Sequence, residues 1–343
     1  PRLKKFIIFV IATILIIQII KLAIATHRWK TLAKDMMLNE NSIVVDIDGN
    51  IIATLGNEKI KNKITSRQMP DNLKNAYIAI EDERYYSHGG VDVKRTTAAI
   101  GSYIIHFGSS SFGGSTITQQ LVKNMTGDAS DKVSRKVNEG WKACTLESCA
   151  SKEEILEAYL NTIYVGPNIY GVEAGSKYYF NKSASDLSLA ECAFLAGINH
   201  SPNSYNPFAE TTDTAKIKKR TKTVLDKMKQ LGNITNDEYE QATKELEEGL
   251  KFQKGELEAG SGVYSYHTDA LINEVTEEIA NKYKITKTFA TNYLENAGTT
   301  IYSTQNSKIQ AEIETEFEKT KYQRESKTGG DPSQAAMVIM DHK

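Results

Sequence analysis

EDERYYSHGG, Glu81 to Gly90, and GGSTITQQLVKN, Gly113 to Asn124, are the two stretches from which the rest of this chain is read. The first sets three acids beside aromatic and basic side chains and closes on His-Gly-Gly. The pattern from Leu73 to Tyr86 predicts a helix, with Tyr77 and Ile78 one turn before Glu81 and Arg84 and Tyr85 one turn after. Aromatic neighbours that exclude water make a carboxylate more basic, as a general base requires, while a neighbouring Arg84 opposes that. A surface helix with an ion pair would use the same residues. In the second stretch Gly113 and Gly114 permit a tight backbone, and Thr116 with Gln119 has the spacing of a capping box. A helix that starts there offers unpaired N–H groups to anions, although an ordinary loop-to-helix joint reads the same way.

Working outward, RKVNE (Arg135 to Glu139), KEEILEAYLN (Lys152 to Asn161) and AECAFLAGINHSPNSYNPF (Ala190 to Phe208) complete an ordered set of five motifs. This set resembles the peptidoglycan glycosyltransferase family, the lysozyme-like domain of class A penicillin-binding proteins and monofunctional transglycosylases. The resemblance implies a mainly α, two-lobed helical domain with an N-terminal transmembrane helix and a small α/β linker region. It divides the chain into an anchor (residues 1–30), a glycosyltransferase domain (31–250), and a linker with the start of a transpeptidase domain (251–343).

The reaction implied is inverting polymerisation of lipid II into β-1,4-linked glycan, with release of undecaprenyl diphosphate. Glu81 would be the general base, and Lys123, Arg135, Lys136 and a divalent cation, magnesium or manganese, would hold the diphosphate. Glu139, the second catalytic acid, would orient those cations or bind the metal. Asp82, Ser115, Thr116, Thr118, Gln119, Gln120 and Asn124 would complete the substrate-binding set. Partners implied are lipid II, the growing glycan, the membrane and other cell-wall synthesis proteins. Two alternatives stand beside this reading: a lysozyme-like lytic enzyme using two carboxyls, which has no use for a cation cluster, and a non-catalytic membrane scaffold.

The remaining residues fill in the picture. A net charge of −1, from 42 basic and 43 acidic residues, gives no global field for nucleic acid. Phe6 to Ala25 is an apolar run of roughly the 20 residues needed to cross a bilayer. Basic residues flank it on both sides (Arg2, Lys4, Lys5; Arg28, Lys30), so charge leaves its orientation open. The resemblance implies a cytoplasmic N-terminus and an extracytoplasmic catalytic domain. Ala23-Ile24-Ala25 would suit a signal-peptide cleavage site, but the run exceeds a usual h-region of about 7–15 residues. A start at Pro1 suggests a trimmed chain.

SIVVDIDGNIIATLG (Ser42 to Gly56) predicts two strands around Asp48-Gly49-Asn50. Tyr103 to Phe112 reads either as a core helix and loop or, by resemblance, as a segment touching lipid. Arg135 and Glu139 stand at i and i+4, a helix-surface ion pair by default, and Lys132 is the basic residue shortly upstream.

Ser151/Glu154, Ser188/Glu191 and Thr235/Glu238 form further capping boxes, with Ile234 and Tyr239 as a staple. Ile155, Leu156, Tyr159, Leu160 and Ile163 make a buried stripe, leaving Glu157 and Asn161 to brace the site. Residues 209–250 read as the solvated end of a helical lobe. Glycines 255, 260 and 262 then mark a linker, followed by a helix (Thr268 to Lys284) and the strand-like GTTIYSTQ.

SQAAMVIMDHK resembles the first strand of a second domain. No Ser has Lys three residues on, so Lys327-Thr328-Gly329 is read as a decoy and acylation by β-lactams is not expected. The three cysteines predict buried free thiols, without zinc spacing, and His88 a hydrogen-bonded structural residue.

Overall fold

A computed structural model describes residues 2–56, 60–98, 114–128, 133–257, 263–319 and 337–340. Tyr103 to Phe112, Gly113, Lys132 and Lys327 to Gly329 lie outside the described residues.

The molecule starts with one unbroken helix, Arg2–Met37, whose apolar part is exposed and long enough to cross a membrane. It does not stop at residue 30. Trp29, Leu32, Ala33 and Met36 are buried, so its last turns belong to the core. Trp29 donates its indole N–H to the Lys142 carbonyl at 2.9 Å and lies 5.9 Å from the Phe289 ring. The Lys142 ammonium sits over both rings, at 5.1 and 5.3 Å. Because Trp29 joins three segments distant in sequence, Trp29→Ala is expected to cost about 3–5 kcal/mol. A fall in Tm of several degrees would register it, and an unchanged Tm would show that the helix end is not part of the folded unit.

The sequence predicted the hairpin after the anchor, and it forms: Ile43–Val45 pairs antiparallel with Ile51–Thr54, and Gly49 takes a left-handed φ of 86° in the turn. Less legible is its other neighbour, Thr300–Tyr302, which runs parallel to Ile43–Val45. Asp46 locks the junction. It accepts from the backbone of Asp48 and Asn50 and, at 2.6 Å, from the Ser307 hydroxyl, which is the main reason its pKa is lowered to about 2. The helices Tyr266–Tyr283 and Lys287–Asn296 complete this part, and the second lies against both the N-terminal helix Arg2–Met37 and Ile117–Thr126.

The part between residues 71 and 248 is mainly helical. Leu189–Ile198 is its axis: residues 190–198 are all buried, and it packs on Asp71–Glu81, Thr214–Gln230 and Asn236–Glu248. Ile117–Thr126 packs on Val133–Glu147 and Lys152–Thr162. All four capping boxes read from the sequence are formed, at Thr116, Ser151, Ser188 and Thr235. Each satisfies helix-end donors locally, which is why spacing alone finds it. The stripe Ile155, Leu156, Tyr159, Leu160 and Ile163 is buried as expected.

Two expectations are corrected. The helix predicted to reach Tyr86 ends at Glu81; Asp82 leaves helical geometry (φ −155°, ψ 70°) and a short 3₁₀ turn, Tyr85–Ser87, follows. The cause is the Asp82 carboxylate, which turns into the core to find distant donors. The cysteines are all free, but only Cys192 is buried; Cys144 is exposed and Cys149 partly so.

Candidate active site

Glu81 is half-buried at the last position of its helix. Two neutral amides hold its carboxylate: Gln120 donates to Oε2 at 2.9 Å and Asn199 to Oε1 at 3.2 Å. Arg84, expected to oppose Glu81, instead makes a two-nitrogen contact with Asp92, and Arg95 donates to the Glu81 backbone carbonyl. No cation therefore competes for the carboxylate through these contacts.

Behind Glu81, Asp82 is 0% exposed. It accepts from the backbone N–H of Ile117 at 3.0 Å and from His88 Nε2 at 3.0 Å, while His88 Nδ1 accepts from Gly90 N–H. His88 is thus the hydrogen-bonded structural residue expected. Asp82 is shut off from solvent and ties the end of one helix to the start of the next, an acid at a helix N-terminus. Asp82→Asn leaves His88 or the Ile117 N–H short of an acceptor and is expected to cost about 1–3 kcal/mol. A Tm equal to that of the parent would contradict this.

The helix Ile117–Thr126 sorts the remaining candidates. Before it, Ser115 receives the Lys136 ammonium at 2.9 Å, and Lys136 also stands 2.9 Å from Glu139 Oε2. Arg135 pairs with Glu139 Oε1, and Glu139 is only 3% exposed, so the expected surface ion pair is a buried one. Thr116 and Thr118 are fully buried: Thr116 donates to the Gly90 carbonyl and caps Gln119, and Thr118 donates to Glu147, itself paired with Lys152. Gln119 is buried and closes the cap through the Thr116 N–H. Gln120 faces Glu81, and Lys123 and Asn124 follow as exposed residues one turn on. One helix thus separates two groups: Glu81 with its amides, and Glu139 with its cations.

Glu157 accepts from the Ser66 N–H and Asn161 holds both backbone groups of Ile64, so these two brace the segment leading into the Glu81 helix. Three contacts were missed. Tyr159 had been read only as core, Asn199 as part of an apolar motif, and Arg95 not at all. A polar residue closing the otherwise apolar Leu189–Ile198 helix was the available signal for Asn199.

The Transglycosylase family model matches residues 48–229, more than half of the chain and all of this cleft. The chain belongs to that family. Penicillin-binding protein 1A of Clostridium botulinum (strain Langeland) is 38% identical over 314 residues, covering 90% of this chain and 38% of that protein. Penicillin-binding protein 1A/1B of Bacillus subtilis is 36% identical over 278 residues, covering 80% and 29%. The crystal structure of Penicillin-Binding Protein 1A from Haemophilus influenzae aligns at 22% identity over 81% of this chain and 28% of that one, with a TM-score of 0.35. The chain spans a little over a third of the length of the Clostridium relatives it matches.

Among the described residues no three His, Cys, Asp or Glu side chains stand together as ligands. Glu139, the candidate ligand, already has Arg135 at one oxygen and Lys136 at the other. A hard cation needs several oxygen ligands; Glu139, whose buried Oε2 stands 2.9 Å from the Lys136 ammonium but has no hydrogen-bond partner, does not by itself make such a set among the described residues.

Proposed function

We propose that this transglycosylase polymerises lipid II into β-1,4-linked glycan, anchored by a single membrane-crossing helix with the catalytic part outside the cytoplasm. One observation carries the reading. A carboxylate held, among the described residues, by two neutral amides (Glu81) lies across one helix from a cation cluster around a buried acid (Arg135, Lys136, Glu139). That pairing suits displacement of a diphosphate by a hydroxyl. Glu81 takes the proton of the acceptor's 4-hydroxyl as its oxygen attacks the anomeric carbon of the growing chain, and the bond to diphosphate breaks with inversion. Lys123, Arg135 and Lys136 meet the charge that develops on the leaving diphosphate, and the contacts of Arg135 and Lys136 with Glu139 lower the reorganisation this costs. A leaving group stabilised in this way needs no strong acid. Glu139 keeps Arg135 and Lys136 in place; Ser115 positions Lys136 from the other side.

The cations also weigh against a lytic enzyme, whose second carboxyl must be free to act on a sugar bond. Glu139 is committed to two cations. The test is polymerisation of labelled lipid II by the purified chain in detergent, with and without a chelator. Long glycan is expected from the parent, whereas shortening of pre-formed glycan would replace this reading by the lytic one. Activity abolished by the chelator and restored by magnesium or manganese would put a divalent ion back into the site.

A further inference from the structure

Beyond the two amides that hold Glu81 lies a third group common to both. The Tyr159 hydroxyl donates to Gln120 Oε1 at 3.1 Å and accepts from Asn199 Nδ2 at 3.1 Å. With the bonds from Gln120 and Asn199 to Glu81, this closes a ring of four side chains. They come from four different helices or their ends: Asp71–Glu81, Ile117–Thr126, Lys152–Thr162 and Leu189–Ile198.

The donor directions in that ring are fixed by chemistry. An ionised carboxylate only accepts, so both amides must turn nitrogen toward Glu81. Gln120 then presents its carbonyl to Tyr159, which obliges the hydroxyl to donate there and leaves a lone pair for Asn199. Rotating the Gln120 amide by half a turn would set oxygen against carboxylate on one side and lose the hydroxyl's acceptor on the other. The hydroxyl itself cannot swing away: Tyr159 is fully buried, the Tyr77 ring meets it edge-on at 6.2 Å, and Tyr77 is tied to the Leu195 carbonyl at 2.8 Å. Burial also keeps the Tyr159 hydroxyl protonated, far above its ordinary range.

We infer that Tyr159 is a positioning residue for the transfer reaction, fixing through Gln120 and Asn199 the orientation in which Glu81 meets the acceptor hydroxyl. The inference rests on Glu81 being the base. Tyr159 touches neither substrate nor reacting atoms; it acts on geometry. A base displaced by about 1 Å can lose roughly 10²-fold in rate, so a single buried hydroxyl has leverage here although its hydrogen bonds are ordinary.

Tyr159→Phe deletes only that hydroxyl and keeps the ring against Tyr77. The expected result is a fall in kcat of about 10- to 100-fold for lipid II polymerisation, with KM unchanged. In a Gln120→Ala/Asn199→Ala background the same substitution should cost nothing further, because the groups it acts through are gone. In protein carrying ¹⁵N-labelled glutamine, the Gln120 side-chain amide signal should move on Tyr159→Phe. An undiminished kcat, an effect confined to KM, or the same fold-loss in the doubly substituted background would overturn the positioning role while leaving Glu81 as base. A parent chain that forms no glycan would overturn the base assignment, and this inference with it. Should Tyr159→Phe fail to fold, Gln120→Glu serves instead. It sets oxygen against Glu81 and must lower kcat; unchanged turnover there would end the proposal.

Discussion

Glu81→Gln in the otherwise intact chain should stop glycan formation, with a loss of at least the roughly 10²- to 10⁴-fold that a general base contributes. The substituted amide can no longer take a proton, and it also upsets its surroundings. Gln120 and Asn199 each bring an N–H to the position, and Gln offers one oxygen where Glu offers two. One N–H is left facing another N–H. That clash is local and half-exposed, so the fold should survive with Tm lowered by no more than a few degrees. Measuring Tm beside polymerisation separates chemistry from unfolding. Glu81→Asp, which keeps the charge but withdraws it by one methylene, should lie between parent and Gln variant. Full activity in Glu81→Gln would mean that another group is the base.

How much of this was legible in the sequence depended on the distance between partners. The four capping boxes join residues three apart, and the hairpin around Gly49 closes within a few residues; both were read correctly because their causes lie inside the window. Motif order singled out Glu81 and the cations as candidates, and the structure gives Glu81 two amide partners and Arg135 and Lys136 a shared acid. What escaped was whatever depended on a remote partner. The helix through Glu81 stops early because Asp82 reaches Ile117, 35 residues on, a partner no periodicity reveals. Thr116 and Thr118 were expected at the substrate, yet their hydroxyls serve Gly90 and Glu147 inside the fold. Tyr159 fitted the apolar stripe of its helix so well that its hydroxyl was ignored, and its partners lie 39 and 40 residues away in opposite directions. The parallel pairing of Ile43–Val45 with Thr300–Tyr302 is the extreme case, joining the stretch after the anchor to the far end of the linker. Arg95, which fixes the backbone of Glu81, lies outside all five motifs.

Glu139 supplies the other large effect, and its sign distinguishes two mechanisms. The carboxylate is almost wholly buried, and the side chain of Arg135 beside it is only 10% exposed. Glu139→Ala takes from a buried guanidinium its carboxylate partner, a loss of about 3–5 kcal/mol when one member of a buried pair is removed. A clear drop in Tm is expected. Glu139→Gln keeps the shape, so its effect on stability should be smaller and its effect on the reaction easier to read. With the negative charge gone, Arg135 and Lys136 present more net positive charge to an incoming diphosphate, but the charged contact that draws the two together is lost, and Lys136 keeps Ser115. Ground-state binding of inorganic pyrophosphate should therefore persist or tighten, while turnover falls by about 10²- to 10³-fold, the usual loss when a fixed electrostatic contact is removed. Pyrophosphate inhibition and single-turnover rates measure the two separately. If Glu139 instead held a metal that gripped the diphosphate, binding and turnover would fall together, and added magnesium would partly restore both. Loss of turnover with binding retained would establish Glu139 as the organiser of the cation pair it contacts.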